Sequence, residues 1–215
     1  MRLGPLHFLE VLTLSLPSRQ DRRDRVSREI AALAPGAKHT YVDALKPENG
    51  SSCHSARACN VASWAKLLKS CKNFPALFTE DDIDFRPQFN PALLTDPGPG
   101  LHSLGSGNCA IDGGDCSHPI WKEPLRNVSW PQKTYGSVAI YVSDNVTAQK
   151  AVEWLLSRKS KWYHYGDMKL YQAQHKRFNV TILCPPIFNW FTSKSSLQNG
   201  IRPASEGHKV NCTAS

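Results

Sequence analysis

The sequence predicts an α/β domain, a mainly parallel central sheet flanked by helices on both faces. Three observations predict it. Short apolar, strand-like runs alternate with stretches whose apolar residues recur at helical spacing, in the order strand, helix, strand, helix, strand. The connections between them are short, as consecutive elements of one layered sheet require. The bulk composition agrees: 215 residues, 40% hydrophobic and 20% charged, are the values of a chain that buries its own core. No repeat, low-complexity tract or compositional break divides it, so residues 1–215 read as one domain with a polar tail from Gln198 to Ser215.

The elements follow in order. Leu9 to Leu16 is apolar and free of Pro and Gly until Pro17, a buried strand. Ser18 then reads as an N-cap with Asp21 three residues on; Val26, Ile30 and Leu33 mark a helix that Pro35-Gly36 ends. His39 to Asp43 is a short strand, and Asn49 to Ser52 a polar loop. Val61, Trp64, Leu68 and Cys71 form one face of a second helix ending near Lys72, with Trp64 read as a core anchor rather than a ligand platform. Pro75 to Thr79 is an apolar strand that runs into Glu80-Asp81-Asp82-Ile83-Asp84. Arg86 to Gln132, rich in Pro, Gly, Ser and His with a short apolar piece at Leu101 to Leu104, reads as irregular. Ser137 to Val142 is a strand, Ala148, Val152, Leu155 and Leu156 belong to a helix, and a last strand from Asn179 to Leu183 stops at Pro185-Pro186.

The formal charge of +8, from 26 basic and 18 acidic residues, favours an anionic partner. Nucleic acid is not that partner: the basic residues are scattered, with no zinc-finger spacing and no aromatic RNA-binding motif. The densest basic run, Arg19, Arg22, Arg23, Arg25 and Arg28, is interleaved with Asp21, Asp24 and Glu29, as on a solvated helix face. No apolar run approaches the roughly 18 residues of a membrane span. His7 and Glu10 interrupt Met1 to Leu16, so no leader is read there.

Other features point to the secretory lumen (Golgi or endoplasmic reticulum) or to secretion. Five of eleven asparagines, Asn49, Asn127, Asn145, Asn179 and Asn211, stand in N-x-S/T sequons. Seven cysteines allow disulfides in an oxidising lumen and leave at least one thiol over. Cys109 and Cys116, flanking a Gly-Asp-rich loop, are the expected pair; Cys116-Ser117-His118 lacks the second Cys/His pair of a metal site.

Four acids within five residues, directly after an apolar strand, repel one another, and a divalent cation resolves the repulsion. Mg²⁺ and Mn²⁺ prefer carboxylate oxygens and bridge phosphates. Ligands of open α/β sheets gather beyond the carboxyl ends of the strands, where this cluster falls. The competing reading is an acidic surface turn.

Ser15-Leu16-Pro17-Ser18-Arg19-Gln20-Asp21-Arg22 resembles the N-terminal signature of family 25 glycosyltransferases, roughly N-L-x-x-R-x-x-R. In the same order, Val42-Asp43-Ala44 resembles that family's strand end, and the helix around Cys59 its G-C-x-x-S-H helix. Leu77-Phe78-Thr79-Glu80-Asp81-Asp82 resembles its L-E-D-D motif. Leu104-Gly105 with Cys109, Gly136 to Tyr141, Asp167, Pro186-Ile187-Phe188 and Ser195-Ser196 continue the match, which spans Leu9 to Ser196. Ser15 replaces the Asn, Ala44 the Gly, and Ala62-Ser63 the Ser-His.

The resemblance implies a GT-A fold, a nucleoside-diphosphate sugar donor (UDP-hexose, with galactose the sugar), Mn²⁺ or Mg²⁺, and inverting transfer to a glycan or glycoprotein acceptor. On that basis Asp82 and Asp84 are the metal ligands, and Glu80 and Asp81 lie on the donor. Arg19 and Arg22 meet the nucleotide with help from the helix N-terminus, and Asp167 is the base that deprotonates the acceptor hydroxyl. Otherwise the arginines are surface charge, Asp167 caps the helix that follows, and Asp112 and Asp115 belong to an acceptor loop. The replaced motif residues suit a competing class, a non-catalytic adhesion or interaction protein on a decayed transferase fold. A phosphohydrolase is disfavoured, because no Asp-x-Asp follows the first strand.

Overall fold

The computed structural model describes residues 7–47, 53–85, 98–106, 126–128, 137–157, 166, 169–170, 180–184, 188–190, 194–195 and 200–201. At 84–85, 103, 105–106, 126–128, 137–138 and from 180 onward this covers the backbone alone.

The first half is a β-α-β-α-β unit. Strand β1 (Glu10–Ser15) leads into helix α1 (Gln20–Leu33), β2 (Lys38–Asp43), α2 (Ala56–Ser70) and β3 (Ala76–Glu80). Helix α1 starts one residue later than Ser18 would make it. Arg19 N bonds Leu16 O at 3.0 Å, so Pro17 and Ser18 form the middle of a turn, and Arg19 takes the cap position without a side-chain cap. Helix α2 does have one: the Ser55 hydroxyl accepts from Ala58 N. Cys53, just before the helix, and Cys59, in its first turn, form a disulfide, a pairing the cysteine spacing did not suggest; Cys109 and Cys116 lie outside the described residues.

The remaining elements are β4 (Ile83–Phe85), β5 (Leu101–Ser106), β6 (Arg126–Val128), β7 (Ser137–Val142), α3 (Asn145–Leu156), β8 (Val180–Cys184), β9 (Phe188–Trp190), β10 (Lys194–Ser195) and β11 (Gly200–Ile201). The main sheet has seven strands in the order β2-β1-β3-β7-β5-β8-β6. Here the sequence reading needs two corrections. The span from Arg86 to Gln132 is not irregular throughout: β5 lies inside the sheet between β7 and β8, and β6 forms its edge. The sheet is also mixed. β1 pairs parallel with β2 and β3, and β5 with β8, whereas β3/β7, β5/β7 and β6/β8 are antiparallel. Five strands still share one direction; β7 and β6 run against them. The direction of β7 was invisible in composition because both its faces are covered, so it reads as the same continuous apolar run either way.

Side chains alternate across this sheet and build two cores. Leu12 and Leu14 of β1, Phe78 of β3 and Ile140 of β7 meet Trp64, Leu67 and Leu68 of α2 and Ala151 and Leu155 of α3 on one face. Val11, Leu77 and Tyr141 meet Val26, Ile30 and Leu33 of α1 on the other. The expected helices on both faces are therefore present. Each fully buried aliphatic side chain contributes about 1.5–3 kcal/mol, which is what holds so charged a helix as α1 on the sheet. β2 and β3 flank β1 on opposite sides, so two right-handed crossovers run in opposite directions and leave α1 and α2 on opposite faces. Strand order thus reverses at β1/β3, the place where open α/β sheets form a crevice beyond their carboxyl ends.

Candidate functional site

The parallel register from Glu10↔Ala76 to Leu14↔Glu80 brings the end of β1 beside the end of β3, where the acid run begins. Alternation sends these acids to different faces. Asp81 lies under α1 and Glu80 under α2.

On the α1 face Asp81 is buried. Its Oδ1 accepts Arg22 Nη1 at 2.9 Å, its Oδ2 accepts the Ser15 hydroxyl at 2.7 Å, and its backbone carbonyl accepts Arg25 Nη2 at 3.2 Å. Arg22 is 3% exposed, so this is a buried ion pair. Removing one partner from such a pair destabilises by about 3–5 kcal/mol, because the other charge is left without compensation. Arg23 bridges the neighbouring strand ends: it donates to the Ser15 carbonyl at 3.3 Å and to Asp43 at 2.7 Å, and stacks 5.0 Å above the Tyr41 ring. The layer continues inward through the Thr13 hydroxyl, which meets Thr79 at 2.8 Å and His39 Nε2 at 2.9 Å. Burial holds His39 below its ordinary pKa. Arg19 stands apart and pairs with Asp21 at 3.2 Å on the surface.

On the α2 face Glu80 Oε1 accepts Trp64 Nε1 at 3.0 Å and Asn60 Nδ2 at 3.4 Å. Asn60 and Trp64 are four residues apart and so share one helix face. Asn60 Oδ1 in turn accepts Gly166 N at 2.7 Å. A Cβ at Gly166 would stand 2.5 Å from Trp64 Cδ1, so this backbone lies directly on the indole.

Of the residues singled out in the sequence, Arg22 and Asp81 are thus joined, Glu80 lies close by on the opposite face, and Arg19 is turned to Asp21. Asp82 is partly buried in the turn after β3. Asp84 is in β4, its backbone paired with Asn189 of β9, and its side chain is outside the described part. Asp167 lies outside the described residues. The sequence reading assigned no site role to Ser15, read only as a departure from the family signature, to Arg25, read as part of a solvated basic run, or to Asn60 and Gly166. One signal was available: Arg22 is four residues before Val26 and eight before Ile30, which places it on the buried stripe of α1 rather than its solvated face.

The repulsion among the acids is met in part within the chain, by Arg22 at Asp81 and by the Trp64 and Asn60 donors at Glu80. Among the described residues no three His, Cys, Asp or Glu side chains gather as a metal site. A hard dication on a diphosphate takes one or two protein carboxylates and fills its shell with phosphate oxygens and water. Asp82 with Asp84 fits that demand in number.

No protein-family model and no curated protein matches the sequence. Among solved structures the chain is similar to a glycosyltransferase involved in the glycosylation of the major capsid of PBCV-1. Identity is 10%, with 78% of this chain and 74% of that chain covered and a TM-score of 0.45. A likeness at that level carries no assignment of activity.

Proposed function

We propose that the chain is a glycosyltransferase of the secretory lumen, moving a hexose from a UDP-hexose donor to a hydroxyl of a glycan or glycoprotein. The observation that carries this reading is the emergence of Glu80, Asp81 and Asp82 at the carboxyl end of β3, beside the end of β1, where strand order reverses. The collinear resemblance to family 25 glycosyltransferases from Leu9 to Ser196 adds the substrate class and galactose as the sugar. In the reaction an acceptor oxygen attacks the anomeric carbon while the bond to the diphosphate breaks, with inversion. Asp167 takes the hydroxyl proton, and the diphosphate leaves with the electron pair. Asp82 and Asp84 would hold Mn²⁺ or Mg²⁺, which when bound neutralises the charge growing on the leaving diphosphate. The Arg22–Asp81–Ser15 cluster keeps the ends of β1 and β3 together. Arg19, at the amino end of α1, would exchange its surface pairing with Asp21 for the nucleotide phosphates.

One observation favours a second reading, a non-catalytic interaction protein on the same scaffold. Glu80 and Asp81 both have partners inside the chain, so neither requires a ligand. Thermal unfolding with UDP and Mn²⁺ separates the two, because a ligand bound to the native state raises its stability by mass action. The wild-type protein is expected to gain about 2.7 kcal/mol at a hundredfold excess over Kd, and the Asp82→Ala/Asp84→Ala double variant to fold but gain little. Equal shifts in both proteins would remove the metal assignment; no shift in the wild type would give the lead to the non-catalytic reading.

A further inference from the structure

We propose that a row of lysines along α2 and the edge of the sheet binds an anionic glycan chain, one bearing sulfate or carboxylate groups, as the extended part of the acceptor. As an acceptor site it rests on the transferase reading above; as a binding surface it is tested without donor. Charge in this part of the chain is of one sign. The described residues from 44 to 79 include Lys46, Arg57, Lys66, Lys69 and Lys72 and no Asp or Glu, whereas α1 interleaves its arginines with acids. Lys66 and Lys69, three apart on α2, share an exposed face, and the exposed Lys72 follows just beyond the helix end. Contacts fix where the row begins and ends. Lys66 Nζ donates to the Asp43 carbonyl at 3.0 Å, and Asp43 is the register partner of Ser15 at the carboxyl ends of β2 and β1. At the other end Lys72 N and Lys38 Nζ both reach the Glu10 carboxylate, at 2.9 and 3.3 Å. Glu10 is 2% exposed, so its charge lies beneath the lysines rather than among them. The row therefore follows edge strand β2 over its six residues, about 20 Å, away from the crevice at the ends of β1 and β3.

A line of ammonium groups leading out of a crevice fits a linear polyanion. Single exposed ion pairs contribute little each, so only a ligand with repeated charges makes full use of the row. A membrane surface fits less well. Peripheral binding adds apolar insertion to charge, and the exposed large apolar residues described, Leu9, Val146 and Leu156, belong to neither α2 nor β2. Nucleic acid fits less well too, because α2 presents no exposed aromatic side chain on which bases could stack.

The probe is labelled chondroitin sulfate, with binding to the full chain followed by fluorescence anisotropy. Wild type should bind it with an affinity that falls as salt rises, and should not bind the same chain desulfated and carboxyl-reduced. Lys66→Gln/Lys69→Gln should weaken binding about tenfold and keep the wild-type thermal shift with UDP and Mn²⁺. Arg28→Gln/Lys150→Gln removes as much charge from exposed positions of α1 and α3 and should bind nearly as wild type does. Equal weakening in the two variants would make net charge, not the row, the cause and overturn the proposal. So would equal binding of the neutral chain. The same holds if vesicles of phosphatidylserine and phosphatidylcholine depend on Lys66 and Lys69 while the glycan does not. In each of these cases the transferase reading stands. If the glycan binds through the row but UDP with Mn²⁺ gives no shift in the wild type, the binding surface stands and the transferase reading falls.

Discussion

At the scale of single residues, buried charge decides most of what is specific to this chain. Asp81 and Arg22 show why charge runs mislead a reader of sequence: both belong to apparently solvated clusters, yet they pair with each other beneath α1. The pairing was partly legible in the spacing of Arg22 to Val26 and Ile30; the partner was not, because 59 residues separate the two positions. Glu10, at the opposite end of β1, is the second case. Burial pushes its carboxyl up, but the backbone N–H groups of Lys72 and Asn73 and the Lys38 ammonium outweigh burial and hold it below its ordinary value of 4.5. A carboxyl lowered in the folded state contributes stability above its unfolded pKa and loses it as pH falls through the folded one. His39 also disfavours its charged form in the fold, so its loss begins higher, below its ordinary 6.5. Melting temperature should therefore decline in two stages on acidification. Glu10→Gln should keep the stage below 6.5 and weaken the one below 4.5, to which the lowered carboxyls of Asp21 and Asp144 also contribute; an unchanged acid limb in that variant would refute the role given to Glu10.

Among the elements, those with strong local signals were read correctly in kind. The Val26, Ile30 and Leu33 stripe gives α1, and the apolar run before the acids gives β3. β5 was missed because Gly98 and Gly100 with the polar residues around Leu101 to Ser106 look like loop, and only pairing on both sides makes the segment a strand. Helix α3 was located by its apolar spacing, but its start is set by Asp144, whose carboxylate accepts the Thr147 N–H and hydroxyl, both at 2.8 Å. Burial alone would push that carboxyl up; the bonds from Ser143 and Thr147 bring it below the ordinary carboxylate value. Asp144→Ala should destabilise the protein by about 1 kcal/mol, the usual loss for a helix cap, and Asp144→Asn by less, since the amide oxygen still accepts. Denaturant unfolding measures both. Equal stability of wild type and Asp144→Ala would show that packing of Ala151 and Leu155, not the cap, fixes where α3 begins.

For the whole molecule, the β-α-β-α-β half was legible because its crossovers demand parallel neighbours, whereas the placement of β7, β5, β8 and β6 depends on pairings that no local pattern encodes. The position of the acid run at the carboxyl end of an apolar strand was legible; which acids the fold neutralises internally was not. Compartment is a property of the whole chain too, and two independent features bear on it. Asn145 is exposed at the first position of α3 within its sequon, and four further sequons are spread from Asn49 to Asn211. The Cys53–Cys59 disulfide ties the start of α2, next to Asn60, and such bonds persist where the surroundings are oxidising. Cys71, by contrast, is a buried free thiol whose pKa is pushed up to about 12 by burial and by the Glu10 carboxylate, so it stays protonated and inert. The chain made in a eukaryotic secretory pathway should therefore run heavier until an endoglycosidase removes its glycans. In the native protein a maleimide should label neither Cys53 nor Cys59; after reduction and unfolding it should label both, together with Cys71. Chain entropy for so short a loop gives the bond a worth of about 2 kcal/mol, so reduction should also lower the melting temperature. Native protein that carries no glycan and whose Cys53 and Cys59 react before reduction would place the chain in a reducing compartment instead, and the acceptor would then not be a lumenal glycoprotein.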